Sequence, residues 1–145
     1  MDREILFRGQ TRRYGEKVNM NGEKLPGRWV YGGVIQGKGD FSIIYGGECP
    51  NDIEKHVVYT DTLGQYTGQT DCENEIKIFE DDILESQIDK HRRFMVGYFD
   101  GQYLVREIEG KGESFSLSSA NIVWFCLKRV GNIHDGKDGE KYDGQ

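Results

Sequence analysis

Covalent catalysis by a serine or cysteine needs a base within reach, and three histidines, His56, His91 and His134, are the candidates in this 145-residue chain. None stands in a recognisable signature with Ser114, Ser116, Ser118 or Ser119, and no Gly-x-Ser-x-Gly elbow occurs. They read as turn or surface histidines. The run Gly32-Gly33-Val34-Ile35-Gln36-Gly37-Lys38-Gly39 echoes a phosphate loop, but Gly39 stands where the Walker pattern needs the hydroxyl that ligates magnesium. No helix is expected after it, so the amide cradle and the helix dipole are both missing.

Glu80-Asp81-Asp82 with Asp71 is the concentration of carboxylates that could hold a hard cation. Consecutive acids on a strand point to opposite faces, and an EF-hand loop would need acids at alternate positions, a glycine sixth and a glutamate twelfth. These acids read as turn-forming residues. Cys49, Cys72 and Cys126 are an odd number at spacings of 23 and 54, with no Cys-x-x-Cys pair, and are expected to be free thiols. Cys126, inside Trp124-Phe125-Cys126-Leu127, reads as a small buried apolar residue. No catalytic residue, metal or cofactor is expected, and no small-molecule substrate can be identified.

Binding remains. Small β barrels often hold nucleic acid through sheet aromatics with basic neighbours. The candidates are Arg8, Arg12, Arg13, Lys17, Arg28, Trp29 and Tyr31, then Lys90, His91, Arg92, Arg93 and Phe94. A net charge of -6 and a pI of about 5.1 are the reverse of the usual basic footprint. The charge is uneven: residues 1–30 hold seven Lys/Arg against four acids, whereas Asp71 to Lys90 holds eight acids against two lysines. The plain reading is a solvated basic terminus and a solvated acidic edge.

The elements that position these residues follow from composition. Twelve Ile and nine Val stand against seven Leu and one Ala, Gly reaches 20, and Pro is only 2. β-branched aliphatics punctuated by glycine belong to short strands joined by tight turns. Strands are expected at Ile5 to Phe7, Arg28 to Ile35, Phe41 to Tyr45 and Val57 to Tyr59, so residues 1–60 form a small β-rich unit. Asn21-Gly22 and Pro26-Gly27 mark a turn-rich loop between the first two. A second unit follows over residues 61–134. Its clearest feature is a hairpin of Phe94 to Phe99 and Gln102 to Glu109 around Asp100-Gly101, with Tyr103, Val105 and Glu107 on one side and Leu104, Arg106 and Ile108 on the other. Ile122 to Val130 reads as the densest apolar strand, central in its sheet, so Trp124→Ala is expected to cost about 3–5 kcal/mol. Glu80 to His91 is open to a helix through Ile83, Leu84, Gln87, Ile88 and His91, or to a strand over Asp82 to Ser86. Residues 135–145 carry one aromatic and no aliphatic side chain, and read as a disordered polar tail.

The longest apolar run, Ile122 to Leu127, is six residues against the ~20 a spanning helix needs, so no membrane partner is expected. Met1-Asp2-Arg3-Glu4 shows no targeting segment, and an intracellular address is the expectation.

Five segments carry a resemblance when taken together: Ile5-Leu6-Phe7-Arg8-Gly9, Trp29-Val30-Tyr31-Gly32, Gly64-Gln65-Tyr66-Thr67-Gly68 with Asp71 and Asn74, Ile78-Phe79-Glu80-Asp81-Asp82-Ile83, and Val130-Gly131-Asn132-Ile133. In order and spacing they resemble the YopX-like family, phage and prophage proteins of unassigned function, over roughly residues 4–134. Two departures stand out. The family usually has Glu-Gly-Asp-Ile where this chain has Glu80-Asp81-Asp82-Ile83, and an Asn-Pro-Glu-Leu-like ending where this chain has its polar tail.

The resemblance implies a mostly β fold whose second half is similar to an SH3-type barrel, with the Asp-Ile step entering a barrel strand, which favours strand over Asp82 to Ser86. It implies bacterial cytoplasm as the setting and assembly of several copies, and it carries over no catalytic residue. A non-enzymatic, self-assembling homo-oligomer is the leading expectation, with a nucleic-acid-binding barrel of phage replication or regulation as the alternative. The interaction candidates are Arg8, Arg12, Arg13, Trp29, Tyr31, Tyr66 and Tyr103.

Overall fold

The structure, a computed structural model, describes residues 4–11, 28–48, 51–89, 92–109 and 112–135. The Asn21-Gly22 and Pro26-Gly27 turns, Arg12, Arg13, Cys49 and residues 136–145 of the polar tail lie outside the described residues. The fold is mostly β, as the composition requires, and divides into Met1–Gln65 and Tyr66–Gln145.

The first unit is an antiparallel sheet. Its strands are β1 (Phe7–Gln10), β2 (Trp29–Ile35), β3 (Phe41–Glu48) and β4 (Asp52–Tyr59), and β5 (Gly64–Thr70) begins after a 3-10 turn at Thr60–Thr62. The order is β4-β3-β2-β1-β5, in which only Gly64 and Gln65 of β5 pair with β1. Val30, Ile44 and Val58 form its core, with Phe7, Val34 and Leu63 packed around them. Gly32 is required by close approach: its φ is +154°, and a Cβ there would lie 1.8 Å from the Tyr45 carbonyl oxygen. Buried hydroxyls are satisfied, since Thr62 Oγ1 accepts from the Gln10 N–H at 2.9 Å and donates to the Tyr59 carbonyl at 2.7 Å.

In the second unit the remainder of β5 pairs with β6 (Lys77–Phe79). Then come β7 (Asp82–Ser86), β8 (Arg93–Phe99), β9 (Gln102–Glu107), β10 (Ser114–Ser116), helix α1 (Ser119–Phe125) and β11 (Leu127–Asn132). These five strands form an antiparallel sheet in the order β10-β9-β8-β7-β11, the last strand returning after a short helix to pair with the first. The sheet is open, with β10 and β11 as its two edges. Leu84, Phe94, Val96, Val105 and Leu127 turn one face of the sheet into a core, joined by Ile78, Leu117 and Ile122. The Phe115 and Phe125 rings stack at 4.7 Å and Phe94 meets Phe115 edge-on. Arg92 lies over Phe94 and Phe125 while donating to Glu107 at 2.9 Å and to Glu113 at 3.2 Å. Its flat guanidinium thereby covers the aromatics and holds its hydrogen bonds together.

The helix–strand ambiguity after Glu80 resolves as strand, and local hydrogen bonds explain it. Asp81 takes φ +67°, which interrupts any helix, and the buried Asp82 carboxylate accepts from the Phe79 N–H at 2.7 Å. Ser86 closes the strand by accepting from Ile88 and Asp89. The hairpin at Asp100-Gly101 forms as expected, both residues at positive φ as a two-residue turn of the I′ kind requires.

Ile122 to Val130 departs from its expectation. The Ser118 hydroxyl accepts from the Asn121 N–H at 3.2 Å and caps a helix through Phe125, which Cys126 ends in the left-handed conformation. Ile122 and the half-buried Phe125 face the core at helical spacing, leaving Val123 69% and Trp124 74% exposed. The strand that follows is an edge, not the centre.

Candidate interaction surface

In the first unit Arg8, Trp29 and Tyr31 share the β1–β2 pair, where Arg8 stands opposite Tyr31 and Gln10 opposite Trp29. Arg8 is only 2% exposed, and its guanidinium carbon lies 4.5 Å from the centre of the Trp29 ring. A cation held over an indole and removed from water contributes to the sheet rather than presenting charge to a phosphate backbone. Tyr31 is 47% exposed.

In the second unit Tyr66 is half-buried, tilted against Phe79 at 5.6 Å with Lys77 Nζ 5.7 Å over its ring. Tyr103 is also half-buried, packed against the core and edge-on to Tyr98 at 5.0 Å. Val105, placed by the sequence on the same side as Tyr103, is fully buried. The outward side of the hairpin is the other one. Along β8 and β9, Met95 stands opposite Arg106 and Gly97 opposite Leu104; on β10, Ser114 stands opposite Arg106.

These residues, with Tyr98 and Phe99, line an open groove of 360 Å³. Gly97 supplies its depth, because nothing lies within 4 Å of where its Cβ would be. Phe99 is 70% and Tyr98 58% exposed, so the rim is aromatic. The Arg106 side chain is exposed and makes no ion pair or hydrogen bond among the described residues. A side chain that is both apolar and near a carboxylate suits this lining. The groove borders an edge strand: Phe115 and its alternate neighbours bond inward to β9, so the backbone of Ser114 points outward. Gly97 in mid-strand was the available sequence signal for this hollow.

Asp71, Asp81 and Asp82 accept hydrogen bonds within the fold. Asp71 is buried and accepts from the Glu73 and Glu75 N–H groups at 3.1 Å each. Asp82 is fully buried and accepts from Asn132 Nδ2 at 3.0 Å, while Asp81 meets His134 Nε2 at 3.2 Å. No metal-binding group of His, Cys, Asp and Glu occurs among the described residues. Cys72 and Cys126 are free thiols, yet their sulfurs lie 3.0 Å apart, and Cys126 is half-buried. Burial, the hydrogen bond to Cys126 and the charges of Cys126, Asp71 and Glu73 push the Cys72 thiol up to about 12. Among the described residues no helix is long and apolar enough to cross a membrane.

A family model described as YopX protein matches residues 29–137, three quarters of the chain. No curated protein matches it.

Proposed function

The chain belongs to the YopX protein family, and from that membership we propose a non-enzymatic, phage- or prophage-encoded protein that assembles with further copies of itself in the bacterial cytoplasm. The observation that carries the reading is the apolar groove on the outer side of β8 and β9, with the Arg106 side chain at its wall unpaired among the described residues and the open edge of β10 beside it. A second copy is the occupant that fits. The chain holds 25 acids against 19 lysines and arginines, so another copy offers carboxylates for Arg106, and its own β10 can continue the sheet by antiparallel pairing. Removing Met95, Tyr98, Phe99 and Leu104 from water would contribute about 25 cal/mol per Å² of apolar surface.

Light scattering behind a sizing column tests this. The expected result is a discrete multiple of 16.6 kDa for the natural chain and 16.6 kDa for Phe99→Glu, at a site 70% exposed and outside the core cluster. A natural chain that stays at 16.6 kDa as concentration rises overturns assembly. If that monomer also carried absorbance at 260 nm released by salt, nucleic-acid binding would take its place.

A further inference from the structure

The Cys72 and Cys126 sulfurs are 54 residues apart in sequence and 3.0 Å apart in space. We propose that this pair is a modification site, closed to an intramolecular disulfide by a small-molecule disulfide of the oxidised-glutathione class.

Backbone hydrogen bonds fix both partners. The Cys72 N–H donates to the Leu127 carbonyl at 2.9 Å, tying the turn after β5 to the first residue of β11. The Cys126 carbonyl accepts from the Gln87 N–H at 2.9 Å, and the Cys126 N–H donates to the Val123 carbonyl at 3.1 Å. Two sulfurs carried on paired backbones need approach by only about 1 Å to reach bonding distance. Both residues are partly exposed.

The order of attack follows from the environment. Cys72 lies between Asp71 and Glu73 and holds its proton, which it can share with Cys126 Sγ. Cys126 is therefore the first nucleophile. Its thiolate attacks one sulfur of the reagent RSSR, forming a Cys126–SR mixed disulfide and expelling RS⁻. That step removes the hydrogen bond and the charge that Cys126 placed on Cys72. Cys72 then gives its proton to solvent, attacks Cys126 Sγ and expels the second RS⁻. Two protein thiols and one RSSR become one protein disulfide and two RSH, and the two electrons pass to the reagent.

The bond would close a long loop and fasten the C-terminal end of α1, the helix that presents Val123 and Trp124, to the turn after β5. The test uses the full chain equilibrated with oxidised glutathione, then alkylated, digested and mapped by mass. The expected result is a fall from three free thiols to one, a mass lower by about two units, and a linked peptide pair containing Cys72 and Cys126. Oxidation should also raise Tm by roughly 5–15 °C, reversibly with dithiothreitol. Cys49→Ser should give the same linked pair, with no free thiol left. Glutathione adducts on Cys72 or Cys126 without the linked pair, a link through Cys49, or three surviving thiols would each overturn the proposal.

Discussion

Asn132 Nδ2 donates to Asp82 Oδ1 at 3.0 Å, and the two residues also face each other in the pairing of β11 with β7. Two buried side chains, 50 residues apart, thus fasten the last strand of the second unit to the first strand of its sheet. Asp82 also accepts from the Phe79 N–H, and Arg129 Nε stands 3.1 Å away as its ion pair without a hydrogen bond of its own. The Glu-x-Asp-Ile and Gly-Asn-Ile segments of the family resemblance are therefore two sides of one structural joint.

Asp82→Ala leaves the Phe79 N–H and the Asn132 amide without their common acceptor and Arg129 without its ion-pair partner. It should lower stability by about 3–5 kcal/mol, read as a shift in urea midpoint at unchanged slope. A loss below about 1 kcal/mol would mean that the joint is not buried in solution.

Trp124→Ala should change stability by no more than about 0.5 kcal/mol, because the ring is 74% exposed on α1. Phe94→Ala, at a fully buried site under Arg92, should cost about 3–5 kcal/mol. Thermal unfolding of the two variants side by side checks the placement of helix and core. The reverse ranking would restore a strand through Trp124.

Gly32→Ala puts a methyl group against the Tyr45 carbonyl oxygen and asks an L side chain to hold a positive φ. A cost of about 2–4 kcal/mol follows from strain plus overpacking. Hydrogen exchange should show the loss concentrated in the β2 and β3 amides. Unaltered protection there would contradict the close approach of those strands.

The Cys72 thiol holds its proton more tightly folded than unfolded, with a value of about 12 against an ordinary 9.0. The unfolded chain is then the one that releases a proton as pH rises. Stability from this group is complete below about pH 9 and declines between pH 9 and 12. Unfolding measured across that range should show this decline, and Cys72→Ala should remove its share of the slope. Iodoacetamide at pH 9 should label Cys72 more slowly in the native protein than in denaturant; equal rates would deny the raised value.

Much of the strand framework was legible because its signals are local. Asp100-Gly101 between alternating runs specifies a hairpin without help from the rest of the chain, and glycine punctuation marks strand ends. The choice of strand for Asp82 to Ser86 needed the family resemblance, since a buried carboxylate accepting from Phe79 leaves no trace in periodicity. Helix α1 was hidden inside a run of apolar residues, although Ser118, three residues before Asn121, was a capping signal. The faces of β9 could not be assigned, because each side carries both apolar and charged residues. Val96 and Phe115, lying opposite Val105 on the flanking strands, settle which side is inside. The groove follows from that choice. The meeting of Cys72 with Cys126 depends on the return of β11 and has no sequence signature.

The pairing of β11 with β7 also sets a timetable for synthesis. The strands of the first unit have emerged by Gln65, whereas β7 gains its second neighbour only when residues 127–132 appear. During that interval a growing chain holds a five-residue strand containing Ile83 and Leu84 with one backbone edge unclaimed. Asp82 and Glu85 sit on that strand, and their charges discourage a wrong neighbour until the right one arrives. The residue that later binds Asn132 is first a guard on the nascent chain.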